Sequence, residues 1–393
     1  MSTPPPLPVY LDNHATTRCD PRVVEAMLPY FSEHYGNAGS RSHALGFHAR
    51  SAVELARKQV GAWIGANPKE IVFTSGATES NNLAILGTAR AHASRGRHVV
   101  TVRSEHKAVL DPMTQLEREG WEVTYLDVDR EGLVDLAQFE TTWRDDTTLV
   151  SVMTTNNETG VEQPVTEIAT WCRERGVFFH TDAAQAVYTD VDVTHQAIDL
   201  VSVSGHKIYG PKGIGALFVR RGRPRINPEP LVHGGGQERG YRSGTLPVPL
   251  IVGFGKAAQL LQEERASGER ERLRGLRDAL LASLTRQIEG VSTNGSLDNR
   301  APHNLHLSIE GVDAEALLMA TRGIACSTGS ACTSATLEPS HVLRAMGLPD
   351  STLRSSIRLG LGRFTTPEEI TYAADTLVDA VQQLRALGRV DEL

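Results

Sequence analysis

Lys207 is the residue of this chain best placed for covalent chemistry. It follows the apolar run Leu200-Val-Ser-Val and lies in Ser204-Gly-His-Lys-Ile-Tyr-Gly-Pro-Lys-Gly-Ile-Gly. A lysine at the end of a buried strand loses charge by desolvation, which makes its amine nucleophilic towards an aldehyde. Lys207 is therefore a candidate Schiff-base lysine, with Lys212 as a rival. A phosphate-binding turn is the alternative reading. The Walker pattern requires Gly-Lys-Ser/Thr, and here Gly210 is followed by Pro-Lys-Gly, so that pattern fails. Lys58, Lys69 and Lys256 read as solvated surface amines.

Three further stretches carry chemical potential. Phe73-Thr-Ser-Gly-Ala-Thr-Glu-Ser-Asn-Asn joins a strand directly to a helix. Free backbone N–H groups there, with Thr78 and the close approach allowed by Gly76, would form a phosphate cup. A well-capped helix is the simpler reading. His180-Thr-Asp-Ala-Ala-Gln closes another strand, and an acid at the end of a parallel strand faces the crevice. Asp182 would keep a pyridine nitrogen protonated, so that the ring acts as an electron sink, or would simply cap a helix. Cys332 lies in Ser327-Thr-Gly-Ser-Ala-Cys-Thr-Ser-Ala, a small-residue loop composition in which a thiol is accessible. Cys326 reads as core, and Cys19 and Cys172 have no assigned role.

Composition bounds the rest. Of 393 residues, 40% are hydrophobic and 22% charged, as in a globular protein, and the net charge of -7 argues against a nucleic-acid or anionic-membrane surface. No apolar run approaches the roughly 20 residues that span a bilayer, and the N-terminus lacks the features of a signal peptide. The four cysteines match neither a metal site nor a disulfide framework, which points to a reduced, cytoplasmic setting.

The elements that must position these residues alternate over positions 70–220. Strands are expected at Glu70–Thr74, His98–Val102, Glu122–Asp127, Leu149–Thr154, Val177–Asp182, Leu200–Val203 and Gly215–Val219. Helices are expected at Glu79–Ser94, Lys107–Glu119 and Val165–Arg175. This is an α/β domain with a mostly parallel, helix-covered sheet. Asp20-Pro21 opens a helix to about Ser32, and a longer one runs from Ser42 to Ile64. After Thr245 the texture changes: a charged helix over Glu263–Glu289, strands at Asn304–Ile309 and Ser356–Leu359, and a final helix capped by Thr366-Pro-Glu-Glu. The expected division is a large domain over 15–255 and a smaller α+β domain from 1–14 and 256–393.

Together these stretches match one family. The chain resembles the pyridoxal-phosphate-dependent cysteine desulfurases of the class-V aminotransferase family, in the group with a Ser-rich cysteine loop. The likeness runs from Tyr10-Leu-Asp-Asn-His-Ala-Thr-Thr to Gly362-Arg-Phe-Thr-Thr-Pro-Glu-Glu. It includes Ser104-Glu-His-Lys-Ala-Val, Asn156-Asn-Glu-Thr-Gly, His233-Gly-Gly-Gly-Gln-Glu-Arg-Gly and Arg242-Ser-Gly-Thr. It implies a fold-type I enzyme with a seven-stranded sheet that converts L-cysteine to L-alanine. Sulfur would pass to Cys332 as a persulfide and then to acceptors in iron–sulfur cluster assembly or thiolation. A selenocysteine lyase or related aminotransferase is the alternative.

The resemblance also implies roles. Lys207 would hold pyridoxal 5'-phosphate and move the Cα proton. His106 would stack on the ring and relay protons at the thiols, and Asp182 would pair with the ring nitrogen. Asn157 and Gln185 would lie near its phenolic oxygen. Ala77, Thr78, Ser204 and His206 would hold the phosphate, with Thr245 reaching it from the second subunit of a homodimer. Arg358 would bind the substrate carboxylate, helped by Asn37. The chain departs from the family's usual pattern at His14, at Ala38-Gly39, at Thr328 and at Tyr188. None of these removes a residue with an implied role.

Overall fold

The computed structural model describes residue 5, residues 7–328 and residues 340–388. Its strands, in chain order, are β1 (Val9–Tyr10), β2 (Ile71–Thr74), β3 (His98–Val102), β4 (Glu122–Leu126), β5 (Thr147–Ser151) and β6 (Phe178–Asp182). They continue with β7 (Leu200–Ser204), β8 (Gly215–Val219), β9 (Val291–Thr293), β10 (Asn304–Ile309), β11 (Ile324–Ala325) and β12 (Ser356–Gly360).

Seven strands form the central sheet in the order β2-β8-β7-β6-β5-β3-β4. Only β8 runs against the others. Apart from the edge strand β4, these strands are buried along their whole length, which is why several of them, such as β2 and β8, read as near-continuous apolar runs. The mostly parallel α/β sheet expected from the alternation is borne out. A second, antiparallel sheet has the order β12-β10-β9, and β1 pairs in parallel with β11.

The helices differ from expectation at two breaks. The segment read as one helix over 79–94 begins at Ala77 and passes through a wider π-type turn at Leu83–Gly87 before resuming at Thr88–Ala91. There the Gly87 carbonyl accepts from the Glu229 amide, outside the helical ladder. The charged segment read as one helix over 263–289 is two, Val248–Ala266 and Glu269–Gln287. Gly268 separates them at φ +88, a conformation that ends a right-handed helix. The first packs on Ala44–Trp63, the second on Pro367–Gly388.

A buried ion pair braces the edge of the central sheet. Arg57, from the helix Ala44–Trp63, forms a two-pronged contact with Glu238 at 2.7 Å on each prong, with both side chains at most 5% exposed. Glu238 also accepts from the Phe73 amide in β2, and Arg57 lies over the Phe73 ring. Removing Glu238 leaves the buried Arg57 with only the exposed Glu54 as a charged partner among the described residues. Glu238→Ala is therefore expected to destabilise the fold by about 3–5 kcal/mol, read as a lower urea midpoint. An unchanged midpoint would refute this bracing role.

Three fully enclosed histidines tie stability to pH. Burial depresses His180, His303 and His306 to about 3 each. The unfolded chain therefore takes up protons that the folded chain refuses once pH drops below the free imidazole value of about 6.5. Their stabilisation is complete above that value and is lost progressively towards pH 3. Between about pH 7.5 and pH 5 the loss is on the order of 1–2 kcal/mol per histidine, seen as a falling urea midpoint. A midpoint flat across that window would contradict it.

Candidate active site

A cleft of about 510 Å³ lies where β2, β6 and β7 end, and residues from all three strand ends line it. In a doubly wound sheet this is where ligands bind. After Thr74 the chain turns through Ser75-Gly76 into the helix at Ala77. A Cβ added at Gly76 would meet no atom within 4 Å, so a side chain there would occupy ligand space. The first-turn amides of Ala77 and Thr78 have no helical acceptors behind them. Ser204 and His206 line the same cleft. The His206 ring lies against the Thr16 hydroxyl at 3.1 Å, and burial depresses it to about 4, so it is neutral at neutral pH.

Asp182 ends β6 almost fully buried. One carboxylate oxygen accepts from Ala184 N at 2.9 Å, the local turn contact that a capping role also predicts. The other accepts from Asn81 Nδ2 at 2.7 Å. Burial first, and then the Asp182 charge, push the enclosed Glu105 well above the usual carboxyl range.

Lys207 follows β7 on a short turn, and its amine donates to the backbone carbonyls of Ala15, at 2.9 Å, and His14. Lys212 is exposed and lines the same cleft, so both sequence candidates reach it. His106 caps the helix Lys107–Arg118, with Nδ1 accepting from Ala108 N at 3.0 Å. That bond puts the proton of the neutral ring on Nε2. Arg358, on β12, is 1% exposed. Its guanidinium donates to the Asn157 carbonyl at 2.7 Å and to Asp12 at 3.0 Å while still lining the cleft.

The structure thus gathers His106, Asn157, Asp182, Gln185, Ser204, His206, Lys207 and Arg358 with Ala77 and Thr78 around one space. Asn37 and Thr245 are exposed and are not among the residues lining it. Asn37 Oδ1 instead accepts from Gly39 N. Cys332 lies outside the described residues. Burial raises all three described cysteines, Cys326 to about 12, which leaves them poor nucleophiles.

Sequence reasoning gave no role to three residues that matter here. Asn81 holds Asp182, Asp12 holds Arg358, and His14 bonds Gln185. The helical spacing between Ala77 and Asn81, one turn apart on one face, was the available signal for the first.

The space suits pyridoxal phosphate by the chemistry of its donors. Lys207 offers an amine, Asp182 a carboxylate for a ring nitrogen, and the Gly76–Thr78 turn an anion cup. The buried Asn157 Oδ1 has no hydrogen-bond partner among the described residues, as expected of a group that awaits a ligand. Sheet, cleft and lysine define a fold-type I enzyme.

The sequence profile of the Aminotransferase class-V family matches residues 9–372. The chain is 54% identical over 389 residues to "Cysteine desulfurase IscS" of Dechloromonas aromatica, covering 98% of this chain and 95% of that one. It is 51% identical to the human "Cysteine desulfurase", over 98% of this chain and 84% of that one. Among solved structures, "NIFS-LIKE PROTEIN" superposes with a TM-score of 0.88 at 36% identity, covering 96% of this chain and 100% of that one. "SspA in complex with cysteine" superposes at 0.79 with 38% identity, covering 91% and 99%. The chain belongs to the class-V aminotransferase family, among its cysteine desulfurases. That family depends on pyridoxal phosphate. No helix among the described residues is long and apolar enough to cross a membrane.

Proposed function

We propose that this enzyme removes sulfur from L-cysteine, releases L-alanine, and delivers the sulfur as a persulfide on Cys332 to protein acceptors of iron–sulfur assembly or thiolation. One observation carries the reading: an amine, a carboxylate, an anion cup and a buried arginine fork meet in a single cleft of a chain over 50% identical to cysteine desulfurases.

Bound there, pyridoxal phosphate would supply an electron sink for bonds at the substrate's Cα and Cβ. Lys207 would hold it, Asp182 would face its ring nitrogen, and Asn157 and Gln185 its phenolic oxygen. Ala77, Thr78, Ser204 and His206 would hold its phosphate. Arg358 orients the substrate by its α-carboxylate, and Asn37 assists. Lys207 then removes the Cα proton. The Cys332 thiolate attacks the substrate sulfur: the S–S bond forms, the Cβ–S bond breaks, and Cβ ends protonated as alanine. His106, through Nε2, moves the proton at the thiols.

The test is stoichiometric. Enzyme mixed with less than one equivalent of cysteine and no added reductant is expected to yield one alanine per Cys332 persulfide. Formation of a keto acid in place of alanine would favour an aminotransferase instead.

Arg358 carries a separate prediction. Lysine keeps the charge but loses the planar fork held by Asp12 and Asn157, so Arg358→Lys is expected to raise KM for cysteine by about 10²-fold, with a smaller loss in kcat. An unchanged KM would remove Arg358 from carboxylate binding. We also propose a homodimer, in which Thr245 reaches the partner subunit's cleft. Sedimentation as a fully active monomer would overturn that.

A further inference from the structure

His14 and Tyr188 meet on one ring, that of His303. His14 stacks on His303 with centroids 4.5 Å apart and planes 23° from parallel. Tyr188 packs edge-on to the same His303 ring at 5.2 Å. All three are buried. The third wall is Gly360, where a Cβ would come within 2.7 Å of His14 Cδ2, so the small residue there admits the imidazole.

The hydrogen bonds around His14 fix every proton. Gln185 Nε2 donates to the His14 carbonyl at 2.9 Å, which leaves Gln185 Oε1 as the atom 3.1 Å from His14 Nδ1. A flipped amide would set two oxygens against each other. Oε1 can only accept, so Nδ1 carries the hydrogen and Nε2 is bare. Nε2 in turn lies 3.1 Å from Asn304 Nδ2, whose other hydrogen goes to the Glu158 carbonyl at 2.9 Å. Burial and the neighbouring cations keep the ring neutral, as this arrangement requires. Gln185 is thus held at both ends by one residue, with a single amide hydrogen left for whatever occupies the cleft that it lines.

We infer that His14 is a positioning residue: by clamping Gln185 it aims that remaining N–H at an anionic oxygen of the ligand. This rests on the reading of the cleft as a pyridoxal phosphate site, and the ligand atom is then the phenolic oxygen of the ring. The clamp favours the deprotonated oxygen. His303, Tyr188 and Asn304 act behind it by holding the imidazole in one orientation and one tautomer.

The experiment compares absorbance spectra of the holoenzyme at one fixed pH. The balance between the bands of the lysine-bound cofactor reports whether the ring oxygen carries a proton. His14→Phe keeps a ring on the stack but cannot donate, and is expected to shift the balance about fivefold towards the protonated form, the effect of one ordinary hydrogen bond. His14→Asn, which retains a donor and loses the stack, should restore the balance to within about twofold of wild type. In a Gln185→Ala background His14→Phe should add less than about twofold, because its effect passes through Gln185.

A purely structural role predicts the reverse order, with His14→Asn the more damaged. That order, or a full shift persisting without Gln185, would overturn the assignment. If His14→Phe does not fold, His14→Ala takes its place, with the same shift expected and the same double variant. Absence of the bands in wild type would instead overturn the cofactor reading itself.

Discussion

Lys207→Ala is expected to lower cysteine turnover by at least about 10⁴-fold, since on the proposed reading one side chain would supply both covalent attachment and the Cα proton transfer. Borohydride reduction of the wild type should fix the cofactor on the peptide containing Lys207, and reduction of the variant should fix nothing. Lys207→Arg sharpens the test. Arginine can still donate to the carbonyls of His14 and Ala15, but its guanidinium stays protonated and is no nucleophile. It should be as inactive as alanine. Lys212 lines the same cleft, so trapping on its peptide in the Lys207→Ala variant, with turnover retained, would hand it the role.

The second large effect is expected at Cys332. With Cys332→Ala, alanine release in the presence of reductant should fall by at least about 10²-fold, and no persulfide should be detectable, because the thiolate proposed to attack would be gone. The other thiols cannot stand in. Cys326 is the one nearest in sequence, but burial lifts it to about 12, and Cys172 is wholly enclosed. Full turnover by Cys332→Ala would sink the persulfide route while leaving the assignment of Lys207 intact.

Much of this was legible in the sequence for definite reasons. The strands most readily legible were β2, β3 and β8, which are covered on both faces and mostly apolar, whereas β5, β6 and β7 carry buried Thr, Ser, His and Asp. Lys207 and Asp182 were legible because each sits at the end of a buried strand. The helix breaks were less so. The turn at Leu83–Gly87 ends on a carbonyl that accepts from Glu229, more than 140 residues away in sequence, a partner that local propensity does not encode. Gly268, by contrast, was a local signal that the charged pattern around it overrode. In the site, the ligand-facing residues were recognisable but their supports were not. Asp12, Asn81 and His14 are short polar residues whose purpose appears only when their distant partners arrive.

The segment from Val9 to Thr17 joins these partners. It pairs with β11, and Asp12 meets Arg358 across 346 residues of sequence. His14 grips Gln185, the carbonyls of His14 and Ala15 receive Lys207, and Thr16 and Thr17 contact His206. Residues 346 apart in sequence must therefore meet before the cleft is complete. Loss of the strand Ser356–Gly360 would remove Arg358 and its ion pair with Asp12 together, so the side of the cleft proposed for the substrate carboxylate should fail while the side holding Lys207 and Asp182 keeps its own strands.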